Sequence, residues 1–505
     1  MRKPKPDIPA NTAQYENEAL IKPTGFREYD ARWWFGREGD PKPTEINLYG
    51  IQLLGASLGT LIHELGKQPE IVVGHDYRSY SNAIKHALIV GLMQAGIKVY
   101  DIGLALSPTA YFAQYALDVP CVAMVTASHN TNGWTGVKMG VDRPLTFGPD
   151  EMGRLKEITL SGLVQHRPGG SYRFIEDMAE RYMEDLAKGV TLKRKIRVVA
   201  ACGNGTAGAF APHVLDQLGA EVIPVECDLD YTFPNYNPNP EDLKMLHAMR
   251  DAVLAHGADL AVGFDGDGDR CGIVDNEGEE IFADKIGVML ARDLAQVHDK
   301  PTFVADVKST GLYASDPVLK ELGAKTDYYK TGHSYIKRRC HDLGALAGFE
   351  KSGHYFFNAP IGRGYDDGIL SAIAVLQMLD RNPDKSMADL RRALPKTWGS
   401  PTMSPYCDDE KKYGVVEKIV SEYQTDFEAG KKILGQKIID VNTVNGVRVT
   451  LEDGTWGLVR ASSNTPNLVV VVESPASEEN KTAMFREIEA RLGKYKEVGA
   501  YDQKI

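Results

Sequence analysis

With 505 residues, 43% hydrophobic and 25% charged, the chain has an ordinary globular composition but is too long for one core, so three or four domains are expected. Its 58 Lys and Arg against 69 Asp and Glu leave a net charge of −11, which argues against a broad nucleic-acid footprint and confines any anion site to a local basic pocket. The basic start, Met1 to Asp7, leads into no apolar segment, so neither a signal peptide nor a membrane span is expected. The cysteines, Cys121, Cys202, Cys227, Cys271, Cys340 and Cys407, form no CxxC pair and read as reduced thiols of a cytoplasmic protein, mostly core filler.

A strand–loop–helix–strand rhythm occurs three times along the chain. It first runs through a strand at 71–76, a helix at about 81–95 and a strand at 97–102. The second pass has a strand at 196–201, a glycine loop, a helix at about 210–218 and a strand at 221–225. The third has a strand at 302–307, a helix near 315–322 and a strand at 325–329. Each reads as a strand, a crossover helix and a parallel strand. The tail differs: short strands at 438–449 and 456–459 carry turn signals at Asn445-Gly446 and Asp453-Gly454, and a helix near 477–492 follows, an α+β pattern. Boundaries near Pro168-Gly169-Gly170, Asn276-Glu277-Gly278 and 395–405 divide the chain into domains 1–170, 171–277, 278–396 and 397–505.

Three stretches carry chemistry. After the apolar run 121–125 comes Thr126-Ala127-Ser128-His129-Asn130, and Lys138 follows shortly. A serine just past a strand end is exposed enough to act as a nucleophile or carry a phosphate, with His129 and Lys138 supplying charge or protons. Taken alone, the stretch reads more readily as a turn or N-cap serine. Next, Gly203-Asn204-Gly205-Thr206-Ala207-Gly208 is a literal GxGxxG between a strand and a helix, with Glu226 ending the next strand. That is the context of a dinucleotide site, although close helix–strand packing explains the glycines without a ligand. The most informative run is Asp265-Gly266-Asp267-Gly268-Asp269-Arg270, behind the apolar strand 260–264. The glycines let the chain turn so that three carboxylates converge, and such a cluster calls for a hard cation such as Mg²⁺. An EF-hand loop fails by position, because Arg270 stands where glycine is needed and Asn276 where glutamate is needed.

TASHN followed at this separation by DGDGDR resembles the α-D-phosphohexomutase family, in its phosphomannomutase/phosphoglucomutase branch. The resemblance implies three similar α/β domains with mixed sheets and a C-terminal α+β domain of TBP-like fold, arranged around a central cleft. Ser128 matches the serine that carries a phosphoryl group. Mg²⁺ would sit on Ser128, Asp265, Asp267 and Asp269, with Arg270 beside it. Gly348-Phe349-Glu350-Lys351-Ser352-Gly353-His354 resembles the family's sugar-recognition loop, so Glu350 and Ser352 would meet sugar hydroxyls and His354 the sugar or a proton. Arg460-Ala461-Ser462-Ser463-Asn464 resembles its distal phosphate loop, with Arg460, Ser462 and Asn464 as ligands. Smaller matches at Phe26-Arg27-Glu28-Tyr29-Asp30, Asp306-Val307-Lys308 and Lys330-Thr331-Gly332-His333-Ser334 bring in Arg27, Lys308 and His333. The chain departs from the usual family run at Thr131-Asn132, at Thr135 and at Asn464-Thr465. Residues before Thr24 read as an extension without assignment, and about 408–437 is longer than family members usually need.

The implied reaction interconverts hexose 1-phosphate and 6-phosphate, of mannose and/or glucose, through phosphoserine and a 1,6-bisphosphate that also serves as activator. Lys138, His129 and His354 stand unranked as proton-transfer groups. Three alternatives accompany this reading: a phosphoglucosamine mutase, an inactive sugar-phosphate-binding regulator, and an NAD-dependent oxidoreductase built on 203–208. Sugar phosphates are the expected partners, with no nucleic acid and no membrane. A monomer or dimer is expected.

Overall fold

A computed structural model describes residues 3–463 and 465–505. The chain forms two compact units. The first contains the chain up to Ala283 and the returning segment Ser352–Ala388; the second contains Asp284–Lys351 and Asp389–Ile505.

The first unit holds two mixed sheets. In one, the strands lie in the order Ala31–Trp34, Trp134–Gly140, Cys121–Val125, Glu70–His75, Lys98–Leu104 and Ser171–Phe174. The Glu70, Lys98, Cys121 and Ser171 strands run parallel, and the other two are antiparallel to their neighbours. The predicted helix appears as Ser81–Gln94. A second helix, Leu48–Glu64, has no counterpart in the sequence reading. Most of its residues are buried, so it shows no polar stripe from which a helical period could be read. The N-terminal residues dock on this unit: Lys5 N donates to Ala19 O at 2.9 Å, Ile21 N returns to Lys5 O at 3.0 Å, and Ile8 is buried. The other sheet runs Glu280–Ile281, Cys271–Asp275, Leu260–Phe264, Arg197–Ala201 and Glu221–Val225. Leu260–Phe264 is buried along its whole length, as a continuous apolar run requires.

In the second unit, Lys325–Tyr329, Thr302–Asp306 and Ala347–Phe349 lie side by side and parallel. The helix expected near 315–322 is two pieces, Leu312–Ser315 and Pro317–Glu321. Pro317 cannot continue the first piece, and Asp316 caps the second by accepting from Leu319 N at 3.0 Å. The last sheet is antiparallel, in the order Trp398–Gly399, Leu468–Ser474, Trp456–Ala461, Val447–Leu451, Gln436–Asn442 and Lys432–Ile433. The strand Leu468–Ser474, a valine run without alternation, and the helix Lys412–Glu428 were not read from sequence.

Both faces of this last sheet are covered, which is why its central strands do not alternate. Val459 packs with the helices Lys412–Glu428 and Glu478–Leu492 on one face. Trp456, Leu458, Val469 and Val471 meet Val307 on the other. The Arg448 guanidinium stacks 3.7 Å over the Trp456 ring and donates to Val307 O and Ser309 O at 2.9 and 2.8 Å. At the centre is Glu473, 4% exposed. It accepts from Lys285 Nζ at 2.6 Å, Thr310 Oγ1 at 2.8 Å, Gly311 N at 2.7 Å, Thr397 Oγ1 at 2.7 Å and Trp456 Nε1 at 3.0 Å. Burial by itself would raise its pKa, but Lys285 and the surrounding donors more than reverse that, holding Glu473 well below the usual carboxylate range.

Glu473→Ala strips that cluster of its acceptor and leaves Lys285 without its counter-charge. A loss of about 3–5 kcal/mol is expected in guanidinium unfolding. A loss under about 1 kcal/mol, the range of a surface pair, would show that the carboxylate does not hold the unit together.

Candidate active site

The site begins at the end of the strand Cys121–Val125. Ser128 takes φ = 52°, a left-handed conformation uncommon for a residue with a side chain. Its surroundings hold it there. Ser128 N donates to Thr126 Oγ1 at 2.9 Å, while Arg78 Nη2 donates to Ser128 O at 2.9 Å and to Asn130 O at 2.6 Å. Arg78 is in turn paired with Asp76, which also accepts from Thr126 Oγ1 at 2.8 Å and Ser81 Oγ at 2.6 Å. Asp76 and Arg78 went unselected in the sequence, although an acid–x–base triplet directly after an apolar strand was visible there.

The acidic run meets this serine. Ser128 Oγ lies 3.1 Å from Asp265 Oδ2 and 3.3 Å from His129 Nδ1. The close approach needs Gly266, because a Cβ there would stand 2.6 Å from Ser128 O. Asp265, Asp267 and Asp269 are fully buried, and one oxygen of each lies within 4.8 Å of the others. Lys138, on the strand Trp134–Gly140, reaches Asp267 Oδ2 at 2.7 Å and also contacts Asp269; Ser107 Oγ donates to Asp267 Oδ2 at 2.6 Å. Arg270 N donates to Asp265 Oδ1 at 3.2 Å, and Arg270 Nε donates to His354 Nε2 at 3.0 Å. His354 Nδ1 is 3.0 Å from Asp366. A further nearby arginine is Arg32, held by Asp30 at 2.8 Å; it was missed beside its neighbour Arg27, which occupies the turn before it. Ser107 and Asp366 were missed too, because each reaches the site from a distant segment.

Burial and the repulsion of Asp267 and Asp269 push Asp265 up to about 8. Burial acts on Asp267 in the same sense, but Lys138 overrides it and holds Asp267 low. Burial also disfavours charge on Lys138, yet the two carboxylates keep it protonated well beyond its ordinary range. His129 moves the other way: burial, then Arg270, hold the ring neutral.

The residues fit a divalent cation. The convergent groups offer oxygen alone, and among the described residues Asp267 Oδ1 and Asp269 Oδ1 have no hydrogen-bond partner despite full burial. Buried carboxylate oxygens are rarely left so, and a hard oxygen-seeking ion is what such a set holds.

The other expected residues divide between the units. Ser352 and His354 belong to the first; Glu350, Lys308, His333, Arg460 and Ser462 belong to the second. Glu350 is 2% exposed and accepts from Gly332 N at 2.6 Å, which brings the segments of Glu350 and His333 together. Lys308 and His333 are buried. Arg460 is 6% exposed; its Nη1 donates to Ala461 O, and its Nε has no partner among the described residues. Ser462 Oγ accepts from Thr465 Oγ1 at 2.9 Å. Asn464 lies outside the described residues.

Four amides of the GxGxxG loop are already committed within the protein. Asn204 N donates to Glu226 O, Gly205 N to Cys202 O, Thr206 N to Gly266 O and Gly208 N to Gly205 O. The glycines serve packing: a Cβ on Gly208 would stand 2.1 Å from Cys227 O.

Known proteins resemble the chain along most of its length. Residues 24–163, 180–278 and 282–398 match the phosphoglucomutase/phosphomannomutase alpha/beta/alpha domains I, II and III, and 407–491 match the C-terminal domain. A phosphomannomutase/phosphoglucomutase of Pseudomonas putida is 32% identical over 461 residues, spanning 91% of this chain and 94% of that one. The chain belongs to the phosphoglucomutase/phosphomannomutase family. A phosphoglucomutase of Neisseria meningitidis is 30% identical over 89% of this chain and 92% of its own. The crystal structure of a phosphoglucomutase/phosphomannomutase family protein from Burkholderia thailandensis superposes with a TM-score of 0.81 at 27% identity, covering 94% of this chain and 98% of that one. In this family member, Ser128 falls within the domain I match and the three aspartates within the domain II match.

Calorimetric titration with Mg²⁺ tests the fit. Asp265 is raised to about 8, so below that pH it carries a proton that the cation must displace. Apparent affinity is expected to rise from about pH 6 to about pH 8 and then level off. Asp267→Asn should weaken binding about tenfold or more. An affinity unchanged in the variant would rule out a cation at these carboxylates, and one independent of pH would show that no proton on Asp265 competes with it.

Proposed function

We propose that this chain is a Mg²⁺-dependent phosphohexomutase that interconverts hexose 1-phosphate and hexose 6-phosphate, of mannose and/or glucose. The observation that carries this reading is Ser128 Oγ, 3.1 Å from Asp265 and buried beside three buried carboxylates, two of which keep an unpartnered oxygen among the described residues. A molecule that only bound a sugar phosphate would need neither the serine nor the carboxylates.

In this reading Ser128 carries a phosphoryl group and gives it to the free hydroxyl of hexose 1-phosphate. A 1,6-bisphosphate forms, turns over, and returns its other phosphoryl to Ser128, leaving the 6-phosphate; the same bisphosphate primes the enzyme. Mg²⁺ held by Asp265, Asp267 and Asp269, with Ser128, supplies charge neutralisation for the phosphoryl oxygens. Lys138 and Arg270 add fixed positive charge, since phosphoryl transfer asks the protein for positioning and electrostatics more than for covalent chemistry.

The proton-transfer candidates now separate. Lys138 is held protonated by two carboxylates and acts as a cation. His354 has one ring nitrogen on Asp366 and the other on Arg270, which suits positioning. His129 is the neutral ring 3.3 Å from Ser128 Oγ, so we assign it the proton that passes from the attacking oxygen to the leaving one, the sugar hydroxyl and Ser128 Oγ in the first transfer and the reverse in the second. Glu350 and Ser352 are assigned to sugar hydroxyls. Lys308, His333 and Arg27 go to the sugar phosphate, and Arg460, Ser462 and Asn464 to the phosphate that does not react. The reading retains domains 1–170, 171–277, 278–396 and 397–505, a cytoplasmic location, and a monomer or dimer. Among the described residues no helix is long and apolar enough to cross a membrane.

A coupled assay supplied with mannose 1-phosphate or glucose 1-phosphate, Mg²⁺ and a trace of hexose 1,6-bisphosphate tests this. Ser128→Ala should lower 6-phosphate formation by about 10³-fold or more, and Lys138→Met should lower kcat on the order of 10²-fold with a smaller change in KM. If folded protein turns over neither sugar, the mannose/glucose assignment falls; turnover of glucosamine 1-phosphate would then identify the phosphoglucosamine alternative.

A further inference from the structure

The loop that resembles a dinucleotide turn has one feature left unexplained. Cys202 and Cys227 stand 25 residues apart in sequence, yet their Sγ atoms lie 3.6 Å apart. The pairing is built by the backbone. Cys202 N donates to Val225 O at 3.1 Å, Asn204 N to Glu226 O at 2.7 Å, and Asn204 Nδ2 to Asp228 O at 2.8 Å, so the two loops are zipped together on either side of the thiols. Gly203, Asn204 and Glu226 all take positive φ, at 52°, 59° and 43°, and these turns aim the cysteines at each other. Cys202 is fully buried at the end of Arg197–Ala201; Cys227 is half-buried just past Glu221–Val225, the edge strand of its sheet.

We propose that Cys202 and Cys227 form a reversible dithiol/disulfide site, oxidised by a peroxide, whose closure tightens the loop beneath the acidic run. The gap to a disulfide bond, roughly 1.5 Å, is within the swing of one cysteine side chain. Cys227 is the accessible partner and the first to react. The Cys227 thiolate attacks one peroxide oxygen; the O–O bond breaks, the other oxygen leaves as hydroxide and becomes water, and Cys227 is a sulfenic acid. Cys202 sulfur then attacks the Cys227 sulfur, the S–O bond breaks, and the departing hydroxide takes the Cys202 proton as a second water. Two electrons pass from the sulfurs to the peroxide. A thiol reductant reverses the bond by exchange.

The link to the acidic run is mechanical. Gly205 N donates to Cys202 O at 2.8 Å, and Thr206 N donates to Gly266 O at 3.2 Å, so a tether at Cys202 stiffens the turn that supports Gly266. This inference stands apart from the mutase reading, because its readouts are covalent and local.

Full-length protein is treated with a small excess of hydrogen peroxide, its remaining thiols are alkylated, and it is digested and mapped by mass spectrometry. The expected product is a peptide pair joined through Cys202 and Cys227, with the other four cysteines alkylated, and it is reversed by dithiothreitol and absent in Cys227→Ser. Hydrogen exchange at the Thr206 amide should slow at least about threefold in the oxidised protein. Both thiols alkylated after peroxide, or Cys227 carried to sulfinic acid without the link, would overturn the site. A Thr206 amide whose exchange does not change would overturn the coupling to the acidic run.

Discussion

Mutual repulsion among three buried carboxylates is the constraint on which the first unit turns. Asp265, Asp267 and Asp269 cannot all stay ionised so close together unless positive charge is brought in from elsewhere. Much around them answers that need. Lys138 arrives from a neighbouring strand, Arg270 from the end of the run itself, and Ser107 adds a donor. Even so the set is under-neutralised: Asp265 is driven up and two oxygens stay without partners among the described residues. That residual demand is what a divalent cation would satisfy.

Glu473 in the second unit shows the opposite solution to the same physical problem. It too is buried, yet a lysine, two hydroxyls, an indole and a backbone amide surround it, and its pKa falls. A carboxylate saturated with donors is part of the framework. A cluster left short of them is a place where something binds. The contrast separates scaffold from site more cleanly than burial does, since both are buried.

Much of the site was legible because its chemistry is local in sequence. Alternating Asp and Gly put three carboxylates on one turn, and Ser128 stands where an apolar strand stops. The strands at the centres of the sheets were legible for a similar reason, as apolar runs bounded by turn residues. Part of what escaped lacked a local signal. The helix Leu48–Glu64 is buried nearly all round and so has no period. The strand Leu468–Ser474 escaped despite a signal, since its valine run is an apolar run of the kind read elsewhere. Pro317 split a helix that its neighbours alone suggested was continuous. Asp76 and Arg78 also carried a signal, an acid–x–base triplet directly after an apolar strand, but only their burial showed what they hold.

The sequence by itself determined the residue types at the site, their order, and the family to which they belong, because these depend on spacing of a few positions that the backbone turns into geometry directly. Only the tertiary structure decided which partners neutralise the aspartates, that Lys138 serves as a cation, that the glycine loop spends its amides on its own neighbours, and that Cys202 faces Cys227. Those outcomes depend on contacts between segments far apart in the chain. Such contacts are set by how whole sheets pack and how much water they exclude, which no short stretch of sequence encodes.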